Sequence, residues 1–416
     1  MNRIHSSSFF VLLLYIASTA YIIFNFYIIR MMPLLDEIIV ALLAIYGICY
    51  TGLLKKREAK TVFAILCGYL VYSCFIHINK PVAAVYDFIQ FLKPFICFYV
   101  ASQISLSLNV RVKKNLRILY LFLGLILTCF LPYINELYDN TSGYYHGCIF
   151  CASSYLFFSD YRKKDWIIAL LILTPGLFSI RAKFFTIYIL FIFIAFLVNR
   201  RVKFNIKWIA VGILLLAIVI FVSREKFLSY FVFGIEDGQA RSFQYYYAFE
   251  VLIKYIPFGS GFGTYATEGA AKFYSPLYSM LGIDNVWGLR EVDYNTNADF
   301  LKDTFYPVLA QFGIIGVFLF FLFWYRRWKE GKTLSKQKYK LFLFLFFVEI
   351  VQNIADNSFT GPFGVPLMIL FGLILSESRY KYSSKLCLLY FLLLRYKLSV
   401  LLKERGDRYL FHENKS

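Results

Sequence analysis

Apolar residues along this chain gather into long uninterrupted runs, separated by short clusters of basic and polar residues. The runs fall near 9–29, 37–54, 61–78, 83–105, 116–134, 143–159, 165–180, 184–199, 207–223, 305–325, 340–356 and 363–377. A helix needs roughly 20 apolar residues to cross the hydrocarbon core of a bilayer, so runs of this length read as membrane spans. The pattern predicts an all-α polytopic membrane protein of about twelve transmembrane helices, with one large outward-facing loop that contains short amphipathic helices. Residues 1–223 form an N-terminal bundle of about nine spans and 224–303 the loop; 304–378 carry about three more spans and 379–416 a basic tail. All four parts are expected to make one integrated domain.

Both ends need comment. The first run follows MNRIHSSS like the apolar part of a signal peptide. It is long enough to span and lacks a convincing small-residue cleavage site, so it reads as a retained first span. In the tail, Lys385 to Lys403 alternates basic and apolar residues, which predicts a helix lying on the anionic inner leaflet.

Composition agrees with the pattern. The chain has 416 residues, of which 60% are hydrophobic and only 17% charged, too few to cover a soluble protein of that size. A net charge of +19 could attract nucleic acid, but the basic residues come as short clusters between the apolar runs. Lys55/Lys56/Arg57/Lys60, Arg111/Lys113/Lys114/Arg117, Arg162/Lys163/Lys164, Arg200/Arg201/Lys203/Lys207 and Arg326 through Lys340 fall in every second loop. Cytoplasmic loops carry such an excess of cations, so no nucleic-acid partner is expected, membrane lipids are, and both termini are placed in the cytoplasm. Cys49, Cys67, Cys74, Cys97 and Cys129 sit inside apolar runs, and the pair Cys148 and Cys151 reads as buried thiols. Neither a disulfide frame nor a metal site is indicated.

Charges that break the positive-inside pattern carry more information, because they are costly where they stand. Arg181 and Lys183, in SIRAKFF, lie at the outward end of the seventh and eighth runs. They read either as an anion site or as side chains reaching to outer headgroups. Glu349, Gln352, Asn353 and Asp356 follow one another at helical spacing and are expected on one helix face, lining a wet cavity or joining helices. Asp87, Gln90 and Lys93 occupy the outward half of the fourth run, at a spacing that makes an Asp87–Lys93 pair improbable. His77 and His146 lie near outward span ends and are candidate bases as well as candidate structural residues.

In the loop, Asp237 is expected to cap a helix starting near Gly238 or Gln239. Tyr245, Ala248, Phe249, Leu252, Ile253 and Ile256 would give that helix an apolar stripe for the membrane surface or a cavity mouth. Arg241 stands near its N-terminus, against the helix dipole, and reads as an anion-holding residue or as a solvated one. Pro257 should stop the helix, and Gly259, Gly261 and Gly263 then form a turn in which backbone can approach a ligand. Further on, Tyr274, Tyr278, Trp287, Tyr294, Asn295, Asn297, Asp299 and Asp303 offer the aromatic faces and hydrogen-bonding groups that suit sugars.

SIRAKFF at an outward helix end, Arg241 ahead of a helix and IPFGSGFGTY, and NADFLKDTFYPVLAQFGIIG entering the next run together resemble the O-antigen polymerase and O-antigen ligase superfamily. The resemblance implies a bacterial inner (cytoplasmic) membrane enzyme that joins undecaprenyl-pyrophosphate-linked oligosaccharides on the outer face, without metal or other cofactor. It implies as partners a chain-length regulator and a flippase of the same pathway. It also implies that Arg181 and Arg241 hold the lipid-linked pyrophosphate. Ligases carry a histidine where this chain has Lys302, so a repeat-unit polymerase fits better than a ligase. The expected chemistry is a single displacement in which Asp303, Asp299 or the deeper Glu349 takes the proton of the attacking hydroxyl. Lys183, Tyr245, the three glycines and Asp356 complete the expected substrate-binding set. A lipid-linked oligosaccharide flippase is the rival of a different class; it would need charges along the whole path through the membrane, whereas here they gather in the outer half.

Overall fold

The computed structural model describes residues 6–24, 34–104, 106, 108–137, 141–198, 228–291, 300–302 and 304–376, together with Met32, Ala217 and Arg224. Among these residues the protein is all-helical, with no strand. The main helices are α1 (Ser6–Ile23), α2 (Leu35–Tyr46), α3 (Arg57–Ile76), α4 (Pro81–Ala101), α5 (Val110–Cys129), α6 (Ser142–Phe157), α7 (Lys163–Leu173) and α8 (Ala182–Ile192). After the loop helix α9 (Ala240–Lys254) come α10 (Gly313–Gly331), α11 (Lys336–Gln352) and α12 (Gly364–Ser376).

Among the described residues three helices are long and apolar enough to cross a membrane: Arg57–Ile76, Pro81–Ala101 and Tyr306–Gly331, the last including the 3₁₀ turn that leads into α10. Val110–Cys129 makes a fourth if it is joined to Leu131–Leu137 across a bend of 51°. The expected count of about twelve is therefore not supported among the described residues, and local geometry explains several of the losses. The run near 37–54 is α-helical only to Tyr46, widens into a π turn at Gly47–Thr51, and ends at Gly52 in the left-handed region. The run near 165–180 tightens into a 3₁₀ turn at Thr174–Ser179, where Pro175 has no N–H to continue the ladder. The run near 184–199 gives eleven α-helical residues before a π turn at Phe193–Leu197. Apolar content alone does not register these breaks. The run near 207–223 and the Lys385–Lys403 segment lie outside the described residues.

At the centre stands α6, buried along its whole length and packed against α1, α5, α7 and α11. Cys148 and Cys151 lie there as fully buried free thiols, as their apolar context suggested. Large apolar side chains remain outside the core, among them Val71 at 70%, Phe75 at 89% and Phe318 at 63% exposure, a surface suited to lipid rather than water. Loop helix α9 does not stand apart; it packs on the Tyr306–Phe312 turn and on α10.

Candidate functional site

The long loop between α8 and α10 meets the helical bundle at two places, and they differ in chemistry. The first is the glycine turn. Gly259, Gly261 and Gly263 have φ of 81°, 87° and 73°, a backbone that favours glycine. A Cβ on Gly261 would lie 2.8 Å from the Ser73 hydroxyl, and one on Gly263 would lie 2.6 Å from the Ala83 carbonyl carbon. The close approach is therefore to α3 and α4. Backbone groups here have protein partners: Gly261 N–H donates to the Gln311 carbonyl at 2.8 Å and Phe262 N–H to the Ser73 hydroxyl at 2.7 Å. The Gly259 carbonyl accepts from Tyr72 at 2.9 Å and the Gly263 carbonyl from Asn79 at 2.6 Å.

Asp87 closes this arrangement. Its two oxygens accept from Gly263 N–H at 2.8 Å and Gly269 N–H at 2.9 Å, so a buried carboxylate on α4 ties down the loop backbone. Lys93, six residues on, pairs instead with Asp36 at 2.9 Å and with Glu37, both on α2. These charges join helices and loop. Lys302 also has a structural partner, Glu268 at 3.3 Å.

The second is a polar rim where α6, α8, α9 and the end of α11 converge. Arg181 is the N-cap residue of α8, and its Nε donates to the Thr141 hydroxyl at 2.8 Å. One turn on, Lys183 Nζ meets Asp356 Oδ2 at 2.7 Å and lies 5.8 Å from the centre of the Tyr145 ring. The charges of Lys183, Asp356 and Arg181 all act on the Tyr145 hydroxyl, which places the three around one spot. From the loop, the Tyr245 hydroxyl donates to the Ile354 carbonyl at 2.6 Å, two residues before Asp356. Burial raises the Tyr245 phenol well above its ordinary range, and the nearby Arg241 guanidinium opposes that shift. Arg181, Lys183, Arg241, Tyr245 and Asp356 are thus brought to one rim from three separated stretches of chain.

Glu349 lies below this rim, 3% exposed. Its Oε1 accepts from Asn353 at 2.7 Å, while Oε2 has no hydrogen-bond partner among the described residues. Gln352 accepts from the Tyr145 hydroxyl at 3.2 Å. The expected four-residue helical stripe is shorter than its spacing implied, because α11 ends at Gln352 and Asp356 sits beyond it at the rim. Asp299 and Asp303, the other two candidate proton acceptors, lie outside the described residues.

One further expectation is corrected. The N-cap of α9 is Gln239, and Asp237 makes no cap: Gly238 at φ 67° turns the chain so that the helix starts at Ala240. The buried face of α9 carries Ala240, Ser242, Gln244 and Val251. Gln244 is satisfied there, donating to the Phe300 carbonyl at 2.7 Å and accepting from Thr304 at 2.8 Å. Phe249, Ile253 and Ile256 of the expected stripe point outward, with exposures of 55% to 69%. A polar residue paired by both ends can occupy a core position, and pattern alone assigns it to the surface.

The pattern also missed Thr141, which borders an apolar run, and Tyr145, which lies inside it; both bear on the rim. His146 is the better placed histidine, buried between Tyr145 and Phe363 with Nε2 unpartnered among the described residues, whereas His77 is an exposed C-cap. Comparison with protein-family models, with characterised proteins and with solved structures gives no match for this chain.

Proposed function

We propose that this chain is a polysaccharide repeat-unit polymerase of the bacterial inner membrane, joining lipid-pyrophosphate-linked oligosaccharides at the outer face. The observation that carries the reading is the tether between Tyr245 and the Ile354 carbonyl at 2.6 Å. It brings the Arg241 turn of α9 to the same rim as Arg181, although 60 residues separate the two arginines in sequence. Two arginines that each stand at the start of a helix suit a pyrophosphate, which needs several donors and positive charge as it departs.

The reaction is a displacement at the anomeric carbon of the donor. An acceptor hydroxyl forms the new C–O bond, the bond to pyrophosphate breaks, and the electron pair leaves with the lipid pyrophosphate, held by Arg181 and Arg241. The hydroxyl proton passes to a carboxylate. Among the described candidates Glu349 has the capacity, with an oxygen unpartnered among the described residues. Lys183 and Asp356 neutralise each other and hold the α8 and α11 ends together. The Lys302–Glu268 pair supports a polymerase over a ligase, since the residue at the ligase histidine position serves loop structure.

The test is reconstitution of the chain in proteoliposomes with lipid-linked repeat units. Arg241→Ala should insert and fold normally yet leave the repeats unjoined; a product ladder of wild-type length would overturn the assignment. A flippase would instead move labelled carrier across the bilayer without lengthening it.

A further inference from the structure

A cavity of about 610 Å³ opens in the long loop at the start of α9. Its walls are Asp237, Gln239 and Phe243 on one side and Gly282, Asn285 and Trp287 on the other. We propose that this cavity binds a neutral carbohydrate and serves as the acceptor-glycan subsite; only the word acceptor rests on the polymerase reading.

The chemistry of the walls selects the ligand class. Trp287 packs against Phe300 with ring centroids 5.0 Å apart, yet the residue stays 53% exposed, so it offers the cavity a fixed apolar ring. A pyranose has one comparatively apolar C–H face that lies on such a ring, and hydroxyls around its edge that need donors and acceptors. Asn285 and Gln239 each supply both, and Asp237 supplies a strong acceptor. Among the residues that line the cavity Asp237 is the one charged side chain, which disfavours a phosphate. The volume falls within the range of small-molecule sites and leaves room for more than one sugar ring.

Both walls are held rigidly. Gly238 N–H donates to Ile235 at 3.1 Å and Gln239 N–H to Gly234 at 2.7 Å. Across the cavity, Ile283 N–H donates to Tyr278 at 3.0 Å and Leu289 N–H to Val286 at 3.0 Å, while the side chains of Ile283 and Leu289 are fully buried. Gly282 has φ 67° and no heavy atom near the position of an added Cβ, consistent with a residue facing open space. Walls ordered in advance lower the entropic cost of binding. Gln239 is only two residues from Arg241, so a sugar seated here lies at the same helix end as the arginine assigned to the donor pyrophosphate.

The experiment uses the full chain in nanodiscs, with maltotriose, cellotriose and tri-N-acetylchitotriose as probes and inorganic pyrophosphate as the anionic control. Saturation-transfer NMR should detect saturable binding of at least one trisaccharide. Trp287→Ala should weaken it at least about tenfold, while Trp287→Phe stays within about threefold of wild type. Pyrophosphate should not compete. Failure of all three sugars, equal affinity in Trp287→Ala, or displacement by pyrophosphate overturns the proposal. Sugar binding through Trp287 without repeat-unit joining keeps the carbohydrate site and removes the polymerase reading. Joining with an unchanged acceptor KM in Trp287→Ala keeps that reading and removes the subsite.

Discussion

The glycine turn and the polar rim are two places where the long loop meets the helical bundle, yet they treat a buried carboxylate in opposite ways. At the turn, both oxygens of Asp87 accept loop N–H groups, and Gly261 and Gly263 approach α3 and α4 too closely for any side chain. At the rim, Glu349 is equally buried but has one oxygen unpartnered among the described residues. A buried acceptor without a donor costs stability, so its presence is better explained by use than by architecture. The difference teaches that glycine spacing, which looks like ligand chemistry in the sequence, builds the frame, whereas the residues available for chemistry stand on the helix ends beside it.

That contrast can be broken most severely at the turn. Asp87→Ala strands two buried N–H groups, with an expected loss of roughly 2–6 kcal/mol, and folded protein should largely disappear on size-exclusion chromatography in detergent. Gly263→Ala should behave similarly, since its φ of 73° and the 2.6 Å approach of an added Cβ to the Ala83 carbonyl carbon leave no room for relaxation. If either variant melts like wild type, the turn is not the frame described above.

Arg241→Ala and Arg181→Ala should do the reverse: melting temperature near wild type, and repeat-unit joining slower by about 10²–10³-fold, the range for removing one donor from developing charge. Glu349→Gln sharpens the comparison between the two carboxylates. It keeps shape and removes charge, so stability should hold or rise while joining falls by about 10²-fold or more if Glu349 is the proton acceptor. Unchanged turnover would move that role to Asp299 or Asp303. Smallest is the Lys183–Asp356 pair, partly exposed at 17% and 30% of the side chains. A double-mutant cycle with Lys183→Met and Asp356→Asn should give a coupling of about 1 kcal/mol in thermal stability. A coupling near zero would mean that the two ends are held by packing alone.

Much of this contrast could not be read along the chain. The sequence already marked Arg181, Lys183, Arg241, Glu349 and Asp356, because charge in apolar surroundings is expensive wherever the chain goes. It could not say that Lys183 answers Asp356 while Asp87 answers the loop, since each pair is more than a hundred residues apart and pairing depends on which helices touch. Gln244 was hidden for the same reason: its two partners, Phe300 and Thr304, lie on a later stretch.

By itself, then, the sequence determined an all-helical chain with apolar helices suited to a membrane and one long polar loop, because apolar run length and charge placement are local properties that water and lipid read directly. Only the tertiary structure decided which runs stay unbroken helices, which carboxylates are fully paired, and which side chains share the rim. Those outcomes depend on backbone breaks at π and 3₁₀ turns and on contacts between distant helices, whose energies are defined only once the partner surfaces are in place.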